Sequence, residues 1–366
     1  MKKNNKANHL KNKMFDLIKT KKVLHGTPLL PKEIEHNQES KICIYSYDEY
    51  VSNKTPDANE AQLGDIIKNT NKNHWINLDI INKNSVEYIA KLLHFHPLIT
   101  EDILSVHQRP KIDEIDNTIS VIMQMLYFNE QSESIENEQV SFELKNHVLV
   151  SFQDDANRDL FNHIRERMEN NQSKMKHKGL DYMLYLLIDA IVDHYFIVLD
   201  HLGTLIEKLE EKISNEEQLP VVMNKINTLR KELIFFRRHT LPVRELINTI
   251  IKSENENIHE YTKNYFKDVS DNILLIIDLS ENYRDVLNNT RDLFMSQSNM
   301  KMNEAMKFLA IVTTLLAPAT VIGGIFGMNF DRIPYLHHQN GFWIATIMMI
   351  TIPIFMLIYF KKKGWF

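Results

Sequence analysis

Two uncharged apolar runs near the C-terminal end, Phe308 to Phe326 and Phe342 to Phe360, limit the possible fold more than any other feature of this chain. Each holds 19 residues, about 28 Å as an α-helix and enough to cross a hydrocarbon core. A single run of this kind can be a buried core helix. Two of them 15 residues apart, with Trp343 and Tyr359 at interfacial positions, read as a pair of transmembrane helices. Beyond residue 307 the only Asp, Glu, Lys or Arg residues are Asp331, Arg332 and Lys361 to Lys363. A charged, soluble-type body therefore precedes a membrane anchor. Lys361-Lys362-Lys363 is the densest basic flank, whereas the loop between the runs offers Arg332 against Asp331, so the positive-inside rule puts both termini in the cytosol. The lysines that open the sequence are followed by no apolar run, and no secretory signal is expected there.

Composition excludes several classes of function. A formal net charge of −5 leaves no basic excess for nucleic acid. One cysteine, Cys43, rules out a disulfide framework and a Cys-based zinc site, as befits a body in a reducing cytosol. No Gly-rich phosphate loop, His-Glu-x-x-His or nucleophile motif is present, so no enzyme is expected. His94 and His96 flank Phe95 just before Pro97, an arrangement that reads as a structural turn.

By texture the body has two parts. Residues 41–153 carry β-rich runs at Ile42 to Tyr47, Trp75 to Ile80, Ile119 to Phe128, Val140 to Leu144 and Val148 to Phe152, the last two a hairpin turning at Lys145-Asn146. Helical patterns at Ser85 to Leu93 and Pro97 to Val106 lie between them, which predicts an α/β sandwich. Long amphipathic patterns follow, from Asp181 to Ile213 and from Val221 to Ser253, separated by an acidic turn over residues 215–220. We divide the chain into an N-terminal extension (1–40), a cytosolic α/β domain (41–175), antiparallel long helices (176–256), a stalk helix (257–307), the two spans (308–326 and 342–360) with an external loop between them (327–341), and a basic cytosolic tail (361–366).

No glycine or proline occurs from Val243 to Ala317, so one helix can run from about Ile258 to Phe326, roughly 100 Å at 1.5 Å per residue. Such a helix needs partners along its length. Two spans also cannot enclose a pore within one subunit, and both points argue for an oligomer about an axis normal to the membrane.

The first span closes on Gly323-Gly324-Ile325-Phe326-Gly327-Met328-Asn329-Phe330, and the second on Tyr359-Phe360-Lys361-Lys362-Lys363-Gly364-Trp365. The body carries Trp75-Ile76-Asn77-Leu78-Asp79, His96-Pro97-Leu98 through Gln108-Arg109-Pro110-Lys111, Glu138-Gln139-Val140-Ser141 and Tyr265-Phe266-Lys267-Asp268-Val269. Together these resemble the CorA magnesium transporter family, over all but about the first 40 residues. The resemblance implies an α+β membrane protein: a cytosolic α/β sandwich, a long helical stalk and two C-terminal transmembrane helices in a funnel-shaped homo-oligomer, expected to be a pentamer. It implies passive transport of Mg2+, with Co2+ and Ni2+ as further substrates, through the plasma membrane. Regulation by cytosolic Mg2+ is also implied, and the partners are other copies of the chain, the lipid bilayer and the ions.

A physical reading of the signature stands beside the resemblance. Mg2+ wants octahedral oxygen ligation and dehydrates reluctantly, so a selective mouth can hold the hydrated ion through acceptors such as the Asn329 amide oxygen. Gly327, Met328 and Asn329 form the expected selectivity filter, with Gly323 and Gly324 allowing close backbone approach. A glycine followed by asparagine is equally a common helix stop, and spacing alone leaves both readings open. Inward from Asn329, helical spacing gives Gly324, Thr320, Ala317, Thr313, Leu309, Met306 and Asn303 as one stripe. Its hydroxyls suit a water path, and the resemblance implies a hydrophobic gate at Leu309 and Met306; helix packing through small residues is the rival reading for Ala317 and Gly324. Pro318 is expected to kink the span. Where the family usually carries Met-Pro-Glu-Leu, this chain has Ile333-Pro334-Tyr335-Leu336, so the loop glutamate is missing. Asp331 stands nearby to share that task, and His337-His338 keeps a zinc transporter of the same fold in view. A tethered, non-conducting metal sensor is the other rival. The resemblance further implies regulatory, intersubunit Mg2+ sites at Glu101, Asp102, Asp189 and Asp268, where carboxylates repel until a cation bridges them.

Overall fold

The protein is seen here in a computed structural model whose described residues are 40–105, 108–155, 158–169, 174–214, 219–329, 333–334 and 338–364. Residues 1–39 of the N-terminal extension, residues 330–332 and 335–337 of the external loop and the acidic turn at 215–218 lie outside them. The body is built on seven strands: β1 (Lys41–Tyr47), β2 (Ser52–Thr55), β3 (Asn73–Asp79), β4 (Lys111–Ile115), β5 (Thr118–Asn129), β6 (Ser134–Lys145) and β7 (Val148–Gln153). They form one sheet of order β2-β1-β3-β7-β6-β5-β4, antiparallel except where β3 pairs with β7. Strand alternation sends Ile42, Ile44, Ile76, Leu78, Val148 and Val150 to one face. Three short helices cover that face with Leu63, Val86, Ile89, Ile99 and Ile103: α1 (Glu60–Ile67), α2 (Lys83–Leu93) and α3 (Pro97–Leu104).

Local chemistry fixes these short elements. Asn59 and Gln62 form a reciprocal capping box at the start of α1. His94 ends α2 in the left-handed region, and the His96 ring Nδ1 accepts the Leu98 amide at 3.2 Å to open α3, with Pro97 in the first turn. Phe95 between them is buried in the core. The two histidines are thus helix caps. Asn146 (φ 52°) begins the turn between β6 and β7, which occupies Asn146 and His147, one residue later than the spacing predicted, because asparagine tolerates that backbone region. Sequence patterning missed β2, β4 and α1.

After α4 (Asn162–Glu169) and a short 3-10 turn (Lys174–His177), three long helices follow: α5 (Leu180–Ser214), α6 (Leu219–Lys252) and α7 (Glu260–Phe326). Tyr195 of α5 donates its hydroxyl to the Gln124 carbonyl at 2.6 Å, and Glu232 of α6 accepts the Ile135 amide at 2.8 Å. Helices therefore lie on both sides of the sheet, as a sandwich requires. Pro220, expected in the turn, sits in the first turn of α6. Helix α7 runs 67 residues and continues through Pro318. Helix α8 (Gly341–Lys362) is the last described element.

Three of the described helices are long and apolar enough to cross a membrane: α5, α7 and α8. In α5 56% of the apolar window is buried inside the protein, against 6% in α7 and 11% in α8. The apolar side chains of α5 serve the body core, as do Phe266, Val269, Ile273 and Ile276 early in α7, while the apolar windows of α7 and α8 remain bare. The chain separates into two compact units, one extending to Leu209 and resuming at Asn227–Asp285, the other comprising Glu210–Ile226 and Val286–Phe366.

Candidate ion pathway and metal sites

In the second unit, the shielded residues of α7 recur at helical spacing: Ile311, Leu315, Pro318, Ile322 and Phe326. On α8 the matching set is Gly341, Ala345, Met349, Ile352, Met356 and Phe360. The two helices approach at Gly323, where an added Cβ would lie 3.6 Å from Met349 Cε. Asn303, Met306, Leu309, Thr313, Ala317, Thr320 and Gly324 occupy the opposite side of α7, and all seven are exposed. Met306 and Leu309 are 55% and 62% exposed.

The threonine hydroxyls on this open side have a definite polarity. Thr313 donates to the Leu309 carbonyl at 2.9 Å, and Thr320 to the Leu316 carbonyl at 3.0 Å. A hydroxyl has one proton, so each outward-facing oxygen keeps only lone pairs to offer. Acceptors suit the outward-pointing hydrogens of a hydrated cation, whereas a free donor would not.

At the end of α7 the Gly327 amide still bonds the Gly323 carbonyl at 2.9 Å, and the Met328 amide reaches the Ile325 carbonyl at 3.3 Å. Gly327 is outside the left-handed region, so a positive φ is not why glycine stands there. Space is the reason: a Cβ on Gly327 would meet the Gly323 carbonyl oxygen at 3.0 Å. Nothing lies within 4 Å of a Cβ on Gly324. Met328 and Asn329 are exposed just beyond the helix end. Phe330, Asp331, Tyr335, Leu336 and His337 of the loop lie outside the described residues.

The four carboxylates of the body fall into two groups. Asp189 on α5 is half-buried, and its carboxyl is pushed up to about 6 by burial first and then by the charge of Asp193, with Asp268 of α7 adding to it and the Tyr185 hydroxyl at 3.2 Å opposing it. The fold thus brings Asp189 and Asp268 within electrostatic reach and adds Asp193. Its position one helical turn after Asp189 was the signal available in the sequence. Glu101 is exposed on α3. Asp102 belongs to a different set: its Oδ2 meets Lys111 Nζ at 2.5 Å and its Oδ1 accepts from Gln108 Nε2 at 3.0 Å. No pattern in the sequence announced Lys111 or Gln108 as partners of Asp102. Among the described residues no group of three or more His, Cys, Asp or Glu is placed to hold a metal ion within one chain. The donors present are carboxylate oxygens, the type Mg2+ prefers.

Comparison with known proteins bears on this arrangement. Residues 70–362 match the model of the family described as "CorA-like Mg2+ transporter protein". The "Cobalt/magnesium transport protein CorA" of Thermotoga maritima is 33% identical over 341 residues, covering 93% of this chain and 96% of that one. Among solved structures, the complete CorA magnesium transporter of Methanocaldococcus jannaschii superposes with a TM-score of 0.74 at 24% identity, covering 88% of this chain and 98% of that one. The ZntB cytoplasmic domain of Vibrio parahaemolyticus gives 0.56 at 16% identity, covering 71% and 99%. The two structural likenesses establish the fold, with its sheet and long helices. The family model and the Thermotoga relative go further, and on them this chain belongs to the CorA-like Mg2+ transporter family.

Proposed function

We propose that the protein is one subunit of a homo-oligomeric channel, with five copies about an axis normal to the plasma membrane, that admits hydrated Mg2+ to the cytosol and also passes Co2+ and Ni2+. Residues 308–326 and 342–360 are its two spans, and both termini are cytosolic. The observation that carries this reading is the free side of α7: Asn303, Met306, Leu309, Thr313, Ala317, Thr320 and Gly324 are exposed, whereas Ile311, Leu315, Pro318 and Ile322 opposite them are shielded and Gly323 approaches α8. Copies placed with that side inward line a pathway with acceptor oxygens from Thr313 and Thr320 and an apolar constriction at Leu309 and Met306. Gly327, Met328 and Asn329 form the filter at its outer end, where a ring of amide oxygens holds the ion with its water.

No nucleotide site is needed, because a divalent ion gains about 4.6 kcal/mol from each 100 mV of inside-negative potential. Glu101 and Asp102 of one subunit and Asp268 of the next, with Asp189 nearby, form the cytosolic sensor. Support comes from the carboxylate pair of Asp189 and Asp268, whose charges repel within one chain, and from the exposure of Glu101, which leaves it open to another subunit. Bound Mg2+ holds the subunits in the closed packing and acts on the gate by its differential affinity for that state. Asn329→Ala tests the filter: it removes the amide oxygen beyond the end of α7, so Mg2+ uptake should fall at least about tenfold while cross-linking still finds the oligomer. Unchanged uptake by the assembled variant would refute the assignment.

A further inference from the structure

We propose that Lys111 is a tethered cation competing with Mg2+ for Asp102, which sets the sensor to respond only at high cytosolic Mg2+. The inference rests on the sensor reading above and adds to it the element that sets its affinity. The Lys111 ammonium lies 2.5 Å from Asp102 Oδ2 and 3.1 Å from Asp113 Oδ2. It is not a floating surface lysine. Lys111 opens β4, paired opposite Ile122 of β5, and Asp113 stands two residues on along the same strand. The lysine side chain is 34% exposed and that of Asp102 21%.

Asp102 is fixed from its other side too. Gln108 Nε2 donates to Asp102 Oδ1 at 3.0 Å. The Gln108 amide is held by Gln139 Oε1 at 2.9 Å, and its carbonyl accepts from Gln124 Nε2 at 2.8 Å. In the single chain Asp102 is therefore a neutralised, oriented carboxylate with its exposed sibling Glu101 beside it in sequence. An incoming dication must approach a carboxylate that already has a positive charge in contact. It binds either by displacing the ammonium toward Asp113 or against its repulsion. Asp113 suits the first course, because it gives the displaced lysine a second partner without a change of backbone.

The magnitude follows from Coulomb's law. A unit charge about 5 Å from a dication, in water-like surroundings and at physiological salt, changes affinity by roughly five- to fifteenfold. The test uses the full-length protein in nanodiscs or liposomes, with two readings: the Mg2+ concentration at which chymotrypsin digestion is half suppressed, and that at which internal Mg2+ half inhibits uptake. Chymotrypsin is chosen because trypsin would lose a cleavage site with the lysine.

Lys111→Gln should lower both midpoints several-fold. Lys111→Met, which keeps the aliphatic stem, should do the same and replaces the Gln variant if that one fails to assemble. Lys111→Arg, keeping the charge, should stay near the wild-type midpoint or above it. Asp102→Asn should raise both midpoints. If Asp102→Asn raises them while the Gln and Met variants stay at wild type, competition is wrong and the sensor stands. If the Gln and Met variants raise the midpoints, Lys111 orients Asp102 and does not compete, and the proposal is overturned. If none of the variants, Asp102→Asn included, moves either midpoint, the sensor reading itself fails, and this inference with it.

Discussion

Gly323, Gly324 and Gly327 lie within five residues of one helix end, yet their surroundings predict three different responses to alanine. At Gly323 the new methyl would sit 3.6 Å from Met349 Cε, an ordinary contact. Removing a helical glycine then stabilises the protein by about 0.5–1 kcal/mol, with uptake kept. At Gly324 nothing lies within 4 Å in the single chain, so folding is again undisturbed. The Gly324 side faces other subunits in the proposed assembly, however, and uptake should fall because added methyls crowd the pathway. At Gly327 the methyl would lie 3.0 Å from the Gly323 carbonyl oxygen, the acceptor that holds the Gly327 amide at 2.9 Å. A backbone carbonyl cannot swing away as a side chain can. The helix end must shift by a few tenths of an ångström, at about 1–3 kcal/mol, and it carries Asn329 with it. A rearrangement of about 1.4 kcal/mol at the mouth corresponds to a tenfold loss of rate. Each variant would be reconstituted, its thermal midpoint recorded, its assembly checked by cross-linking and its Mg2+ uptake followed with an entrapped dye. The expected order of uptake is Gly323→Ala above Gly324→Ala, with Gly327→Ala strongly impaired. Wild-type uptake by Gly327→Ala, or Gly323→Ala as the most damaging change, would refute the reasoning.

Two further expectations concern the body. Burial raises the Glu138 carboxyl from its ordinary 4.5 to about 7, against the lowering effect of the Asp155 and Asp154 amides, both donating at 2.8 Å. The folded state therefore keeps a proton that the unfolded chain releases, and stability falls as pH rises from about 4.5 to about 7, by roughly 3 kcal/mol at most. Glu138→Gln should flatten that slope in urea unfolding followed across the window; an unchanged slope would count against it. Lys178 Nζ lies 4.0 and 4.1 Å from the ring centres of Tyr182 and Tyr265 and donates to the Tyr265 hydroxyl at 2.6 Å, tying the start of α5 to α7. Lys178→Met should cost about 1–3 kcal/mol, read as a lower unfolding midpoint; no loss would mean that the tyrosines hold together without the cation.

What was legible in the sequence depended on whether the signal was local. The two apolar helical runs, the unbroken α7, the strands β5 and β7 and the second half of β6 follow from runs of apolar residues, which burial or a membrane demands wherever they occur. The edge strands β2 and β4 escaped notice because Ser52–Thr55 and Lys111–Ile115 are polar and are held by backbone pairing to β1 and β5. Helix α5 looks like a span by length and composition, and only its contacts with the sheet tell it apart. In the candidate site, the stripe from Asn303 to Gly324 at a period of 3.6 was readable, and the structure leaves its seven residues exposed; their place in a pore is part of the proposal. The direction of the Thr313 and Thr320 hydroxyl protons was not readable, because it depends on rotamer choice against the preceding turn. Nor was the ion pair of Asp102 with Lys111, which needs α3 and β4 to be brought together by the fold.

The central claim is that this chain alone conducts hydrated Mg2+ down an electrical gradient. It is tested most directly by reconstituting the purified protein into liposomes, imposing an inside-negative potassium diffusion potential without ATP, and measuring entry of Mg2+, Co2+, Ni2+ and Zn2+ in parallel. The account predicts Mg2+ entry that increases with the imposed potential, stops when the potential is collapsed and is accompanied by Co2+ and Ni2+ entry. Assembled protein that passes no Mg2+ under any potential, or that passes Zn2+ alone, would contradict it.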